Sequence, residues 1–519
     1  MSRLRNFLHS LVSGYVLLGT NVVYTLASVP LALHYLSKAE FGLWALTSQL
    51  GGYMALLDFG MRGSVSRIMV DYKDRREGGH YGSLVQTGAI VGTLQGLVVL
   101  VAGTALSFLA GGWLGVAPAL IHDFCWLMAG QSALLALAFA TDIFRHMLGA
   151  HQRFDVANYS RVASFAIGLA VLWIGFGAGA GVFSLLWASG ATWLVATSLT
   201  FTGCLRLKFL PLAGQWGRPT MVLFKELFGF GGDVFLFSLG AQLVSASQAI
   251  LLTRWLGLEA AAAWSVCTRA YALLMQVIYS FFDYSTAALA EMIVRNERER
   301  LLARFRAIDT LSINLGLVAG VLFAACNGPF VSVWTAGKIS WNPVNDWILG
   351  AWLVVSVSVH NHTGLVGQTK SFRFLRWLFF LEGFAFVGLA SRLVKGLGIT
   401  GLLMASLICS LCFTFPYGLR RTRKYFGLNW MELIEWYRTS FLLIVMVLVC
   451  ALSVSLATRN LAVLMKLVLN AGAIGGIAAG LFLRYGLEAS LRTEMIRRSP
   501  NWAKAFLIRL LQGKPNTCQ

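Results

Sequence analysis

Apolar runs of about twenty residues or more succeed one another along the chain, about fourteen in all, each long enough for a helix to cross a bilayer core about 30 Å thick. They lie near 11–36, 41–66, 84–109, 123–148, 159–180, 182–204, 229–255, 262–290, 307–331, 347–369, 374–394, 397–419, 436–457 and 463–484. Runs such as VVLVAGTALSFLA at 98–110 show none of the polar–apolar alternation of a membrane β-barrel. Helices are then the only spanning structure that satisfies the backbone segment by segment. The pattern predicts an all-α, polytopic membrane protein.

The longest polar interruption among the first twelve runs is 205–228, which carries two prolines and several basic residues. It divides the chain into an N-lobe (1–204), a cytoplasmic linker (205–228) and a C-lobe (229–419), each lobe having six helices. Two further helices follow within 420–484, and then a basic tail at 485–519. A weak internal echo supports the two lobes. FGLWAL at 41–46 opens the second run and AAWSV at 262–266 opens the eighth, and the pair Asp58-Phe59 is echoed by Asp283-Tyr284, each before a charged loop. Parallel repeats of this kind suggest a carrier.

Lysine and arginine fall mostly in every second gap, in clusters such as Arg67/Lys73/Arg75/Arg76, Arg295/Arg298/Arg300/Arg304/Arg306 and Arg420/Arg421/Arg423/Lys424. The positive-inside rule then places both termini in the cytoplasm. No cleavable leader stands out, so the first run is expected to act as an uncleaved signal anchor. Within the tail, Trp502, Phe506, Leu507, Leu510 and Leu511 can share one face, which predicts an amphipathic helix on the inner leaflet.

Composition agrees: 57% of residues are hydrophobic, 12% are charged, and mean hydropathy is +0.69. The net charge of +20 is what basic inner loops produce, so it argues for contact with anionic phospholipids and against a nucleic-acid partner.

No phosphate-binding GxxxxGK[ST] loop and no HExxH motif occurs. Cys409 and Cys412 have CxxC spacing inside an apolar run and read as small buried hydrophobes. His360 and His362 stand two apart on a helix and face different ways, so no metal and no resident cofactor is expected. The informative residues are charges inside apolar runs, which are costly in hydrocarbon and face a partner or an aqueous space. They are Asp58, Arg62, Asp142, Arg145, His146, Arg161, Asp233, Arg254, Arg269, Asp283 and Glu382. Asp58 with Arg62, and Asp142 with Arg145 or His146, have the spacing of helical pairs. Arg254 is close enough to an outer end to snorkel. Arg269 lies about two turns inside its run, with no acid at helical spacing, and calls for an acidic neighbour or an anionic ligand.

The order of runs and two segments, YLSKAEFGLWALTSQLGGYMALLDFGMRGSVSR at 35–67 and RWLGLEAAAAWSVCTRAYALL at 254–274, resemble the polysaccharide-exporting branch of the multidrug/oligosaccharidyl-lipid/polysaccharide (MOP) superfamily. The likeness is strongest to bacterial O-antigen-type flippases of lipid-linked oligosaccharides. It implies two six-helix bundles around a cavity that opens alternately to each side, and an undecaprenyl-pyrophosphate-linked oligosaccharide as cargo. Arg269 occupies a place similar to a cavity arginine of peptidoglycan-precursor flippases. The first run has no arginine, unlike those relatives, which favours the oligosaccharide branch.

On this reading Arg269, helped by Arg62 and Arg254, holds the pyrophosphate. Asn21, Gln49, Tyr53, Gln242, Gln248, Tyr271 and Gln276 are candidates to meet sugar hydroxyls. Asp58, Asp142, Asp233, Asp283 and Glu382 are candidates for proton or sodium coupling. The implied setting is the bacterial inner membrane, with a polysaccharide polymerase or other assembly proteins as neighbours, and the chain is not expected to be an enzyme. The rivals are an ion-coupled multidrug antiporter of the same superfamily and a membrane glycan polymerase or ligase. The second would need a substantial outer loop, and the longest outer gap, 332–346, is short.

Overall fold

A computed structural model describes residues 2–73, 77–229, 231–369 and 372–487, with 492 and 497 beyond them. The expected amphipathic tail helix therefore falls almost wholly outside the described residues. Two compact units emerge, Met1–Ser265 and Val266–Gln519.

The first unit begins with α1 (Ser2–Tyr35), α2 (Lys38–Met54) and α3 (Met61–Tyr72). There follow α4 (His80–Leu114), α5 (Pro118–Thr141), α6 (Ile143–Ala150), α7 (Phe154–Gly177) and α8 (Phe183–Arg206). Beyond residues 207–220 come α9 (Met221–Gly229), α10 (Gly231–Ser245) and α11 (Ser247–Leu256), and α12 (Leu258–Cys267) crosses the division. The second unit continues with α13 (Arg269–Asp283), α14 (Thr286–Val294), α15 (Arg298–Trp334) and α16 (Pro343–Gln368). It ends with α17 (Phe372–Cys412), α18 (Thr414–Phe426), α19 (Trp430–Ala457), α20 (Val463–Leu469) and α21 (Gly475–Leu481).

Among the described residues, ten helical stretches are long and apolar enough to cross a membrane. One of them, Phe374–Phe426, carries two of the expected spans, folded back at Gly398 (φ 61°, ψ −140°). The expected spans outside the ten are those that sequence chemistry makes more polar or breaks. Helix α8 is rich in serine and threonine, α16 carries Asn345, Asp346, His360, Asn361 and His362, and the 41–66 run is interrupted between α2 and α3.

Without a hydrophobic force between helices in lipid, close packing depends on small residues. A Cβ added to Gly96 of α4 would lie 2.6 Å from the Ala136 carbonyl oxygen of α5, so only glycine permits that approach. In the second unit Gly320 of α15 and Gly350 of α16 face each other, and a Cβ on either would lie 2.8 or 2.6 Å from the other's carbonyl oxygen. Aromatic stacking adds to this: Tyr24 on Phe165 and Tyr35 on Phe176 fasten α1 to α7, at 5.1 and 5.2 Å between centroids.

Residues 205–220 pack against the first unit. The Tyr81 hydroxyl donates to the Phe209 carbonyl at 2.9 Å, His151 stacks on Phe209, and the Arg218 amide donates to Ser83 Oγ. Residues 221–256 belong to the same unit, held through α11 against α2. The last two spans belong to the second unit, where Leu443, Val447, Ala451, Ile474 and Ala478 form a core with Val321 and Ala325 of α15. Asn470, fully buried at a π-turn, accepts from Thr458 Oγ1 at 2.8 Å and donates to the Ala325 carbonyl at 3.0 Å.

Candidate functional site

Helix breaks organise the polar groups. Asp58 ends a short 3₁₀ turn, and Phe59 and Gly60 then take left-handed conformations (φ 51° and 75°) before α3 starts at Met61. The continuous helix expected to carry Asp58 and Arg62 is therefore interrupted between them. The side chain of Arg62 lies outside the described residues. The Asp58 carbonyl accepts from Gln95 Nε2 at 2.8 Å. The echoed pair Asp283-Tyr284 also falls at a break, between α13 and α14.

A second break divides the 229–255 run at Ala246, between α10 and α11. A helix start leaves amides without internal acceptors. Here the Ala249 amide donates to Gln49 Oε1 at 2.7 Å, Tyr53 bonds Ser247 Oγ through its hydroxyl, and Gln242 Nε2 donates to the Gly52 carbonyl at 3.3 Å. Gln49 and Tyr53 thus brace the broken helix from α2. Gln248 is buried, and Asn21 is half-buried on α1.

Arg254 sits in the last turn of α11, exposed, with its guanidinium carbon 5.3 Å from the Trp255 ring centroid. A cation there also faces the negative end of the helix dipole.

In the second unit the 262–290 run is broken at Thr268 (φ −92°, ψ 2°), so Arg269 is the first residue of α13 rather than the interior residue the sequence suggests. The Cys267 carbonyl next to the break accepts from Asn327 Nδ2 of α15 at 3.1 Å. Asn327 also donates to Asp346 Oδ1 at 2.7 Å, and Trp341 Nε1 donates to the same oxygen at 2.8 Å. Asn327 and Asp346 are both buried, whereas Arg269 is exposed. A rigid polar support on α15 and α16 thus fixes the backbone from which the arginine projects. Tyr271 is buried, stacked on Trp352 at 5.6 Å, while Gln276 is exposed.

The remaining intramembrane acids differ. Asp142 is held by Arg145 through two contacts, 2.7 and 3.1 Å, with His146 Nε2 at 3.3 Å. Asp283 pairs with His360 Nε2 at 2.8 Å. Glu382 is buried and accepts from Ser410 Oγ at 3.0 Å. The side chain of Asp233 lies outside the described residues.

One buried constellation lies outside the sequence-selected set. Asp309 of α15 accepts from Asn361 Nδ2 of α16 at 3.0 Å and from the Tyr437 hydroxyl of α19 at 2.8 Å. Tyr437 bonds His362 Nε2 at 2.7 Å, and His362 Nδ1 bonds Thr422 Oγ1 of α18 at 2.8 Å. A neutral His362 with its proton on Nε2 satisfies the chain in one direction: Thr422 donates to His362, His362 to Tyr437, and Tyr437 to Asp309. His360 and His362 face different partners, and among the described residues no cluster of three or more His, Cys, Asp or Glu could hold a metal.

No protein-family model matches this chain, and no curated protein matches it. Solved structures do. An inward-facing multidrug resistance MATE family transporter of the MOP superfamily aligns at TM-score 0.67 and 12% identity, covering 78% of this chain and 94% of that one. The lipid II flippase MurJ, in an inward closed conformation, aligns at TM-score 0.63 and 11% identity, covering 90% and 98%. A MOP superfamily transporter from Pyrococcus furiosus aligns at TM-score 0.59 and 14% identity, covering 82% and 96%. The chain is a multi-pass membrane protein with the fold of the MOP superfamily transporters.

Proposed function

We propose that this chain is a flippase that carries undecaprenyl-pyrophosphate-linked oligosaccharide repeat units from the cytoplasmic to the outer leaflet of a bacterial inner membrane. The observation that carries the reading is Arg269: an exposed arginine at the break of a membrane helix, two residues after the Cys267 carbonyl that Asn327 holds. Discontinuous helices are where membrane carriers build polar binding sites, with helix N-termini turned to anionic groups. Arginine matches pyrophosphate by charge and by its planar fork of donors.

A pyrophosphate sugar headgroup crossing bare hydrocarbon would meet a barrier of tens of kcal/mol. A fixed cation in a polar passage lowers it, while the polyprenyl tail stays in lipid. Arg62 and Arg254 are the cationic candidates of the first unit. Outward movement of negative charge gains about 2.3 kcal/mol per charge per 100 mV of membrane potential, so transport needs no bound nucleotide. Ion coupling, where used, falls to Asp58, Asp142, Asp233, Asp283 or Glu382.

The orientation proposed is that of the basic clusters, both termini cytoplasmic. Deletion of the chain is expected to accumulate undecaprenyl-linked repeat units on the inner leaflet and to remove surface glycan. Unchanged glycan with no accumulation, together with loss of cationic drug efflux, would instead support a multidrug antiporter.

A further inference from the structure

The arginine-rich end of the second unit contains a cavity of about 390 Å³. Asn296, Arg298, Thr369, Arg421, Thr422 and Lys424 contribute its polar lining, and among the described residues no aspartate or glutamate lines it. Three acids near it in sequence have partners of their own: Glu291 pairs with Arg295 at 2.5 Å, Glu297 with Arg300 at 3.0 Å, and Glu432 accepts the Asn429 amide that starts α19. Arg298 is held in place, its Nη2 donating to the Tyr425 carbonyl and its guanidinium carbon 5.9 Å from the Tyr425 ring.

Arg298, Arg421 and Lys424 share one small cavity with the side-chain amide of Asn296, while the hydroxyls of Thr369 and Thr422 are turned to the Val366 carbonyl and to His362. That donor set fits an anion with several acceptor oxygens. A volume near the lower end of ordinary ligand pockets admits one phosphate-bearing headgroup and leaves no room for an oligosaccharide repeat. We infer that this cavity is an anion site, separate from the cargo site, that takes a phosphate group from an anionic phospholipid or from a soluble phosphate compound. The site also touches the buried network. Thr422, on its wall, is the residue whose hydroxyl bonds His362, and His362 leads through Tyr437 to Asp309. Occupancy therefore braces the junction of α15, α16, α18 and α19, and a ligand that binds only the folded form raises its melting temperature.

The inference stands or falls independently of the exported cargo. The full-length protein would be placed in nanodiscs of equal phosphatidylglycerol and phosphatidylcholine, and the lipid it retains counted by native mass spectrometry. In a second arm, detergent-solubilised protein would be melted with and without inorganic pyrophosphate. Two triple variants remove equal charge from the same end: Arg298→Gln/Arg421→Gln/Lys424→Gln within the cavity, and Arg300→Gln/Arg304→Gln/Arg420→Gln outside it.

A phosphatidylglycerol preference of about tenfold, lost in the cavity triple and kept in the outer triple, is the expected result for a lipid source. A pyrophosphate-dependent rise in melting temperature with the same variant pattern identifies a soluble source. Equal loss in both triples, or no loss in either arm, overturns the site. If the cavity triple does not fold, Lys424→Gln alone, at an exposed position, is expected to weaken binding about threefold. Unchanged binding by that variant also overturns it.

Discussion

Asn327 Nδ2 lies 3.1 Å from the Cys267 carbonyl oxygen, two residues before Arg269, so α15 holds open the turn from which α13 starts. Replacing Asn327 with leucine removes that donor and one of the donors to buried Asp346. The expected cost is about 1–3 kcal/mol of stability, together with impaired transport. A melting curve and a transport assay on the same variant check both. Lowered melting with full transport would make Asn327 a structural brace alone.

Asp309 accepts two hydrogen bonds while fully buried, so Asp309→Ala leaves the Asn361 amide and the Tyr437 hydroxyl without their acceptor. The expected loss is about 3–5 kcal/mol, against about 1–3 kcal/mol for Tyr437→Phe. A double-mutant cycle of Tyr437→Phe with His362→Ala should show a coupling energy of about 0.5–3 kcal/mol, measured by thermal or denaturant unfolding.

Gly350→Val should sharply reduce the yield of monodisperse protein, because Gly320 and Gly350 bring two backbones too close for any side chain. Gly388→Val, at a helical position where an added Cβ meets nothing within 4 Å, should leave the yield unchanged. Fluorescence-detected size exclusion compares the two.

Gln49→Ala should loosen α11 by about 1 kcal/mol, since it takes away the acceptor of the Ala249 amide at a helix start. Amide hydrogen exchange at 247–250 should rise in this variant more than in Gln276→Ala, whose side chain is exposed.

The membrane helices were legible because hydropathy over about twenty residues is a strong, local signal. The Asp142–Arg145–His146 group was legible through a different local signal, the i, i+3 and i, i+4 spacing of its members. Breaks at Phe59, Ala246 and Thr268 were not, since only Gly60 beside the first signals a turn and the other two are decided by side chains from distant helices. This is why Arg269 reads as an interior residue. Asp309 escaped selection because it lies three residues beyond Arg306, at the edge of a basic loop, although its partners bury it completely. His362 and Tyr437, far apart in sequence, meet only through packing of α16 on α19. The echo of Asp58-Phe59 in Asp283-Tyr284 does have a structural counterpart, a helix break in each unit.

The most direct test of the account is transbilayer movement of a fluorescent undecaprenyl-pyrophosphate oligosaccharide in vesicles containing the purified protein, as wild type, Arg269→Lys and Arg269→Ala. The account predicts that Arg269→Ala, folded by its melting curve, moves the lipid at least about tenfold more slowly, with Arg269→Lys between it and wild type. Wild-type movement by a folded Arg269→Ala protein would contradict it.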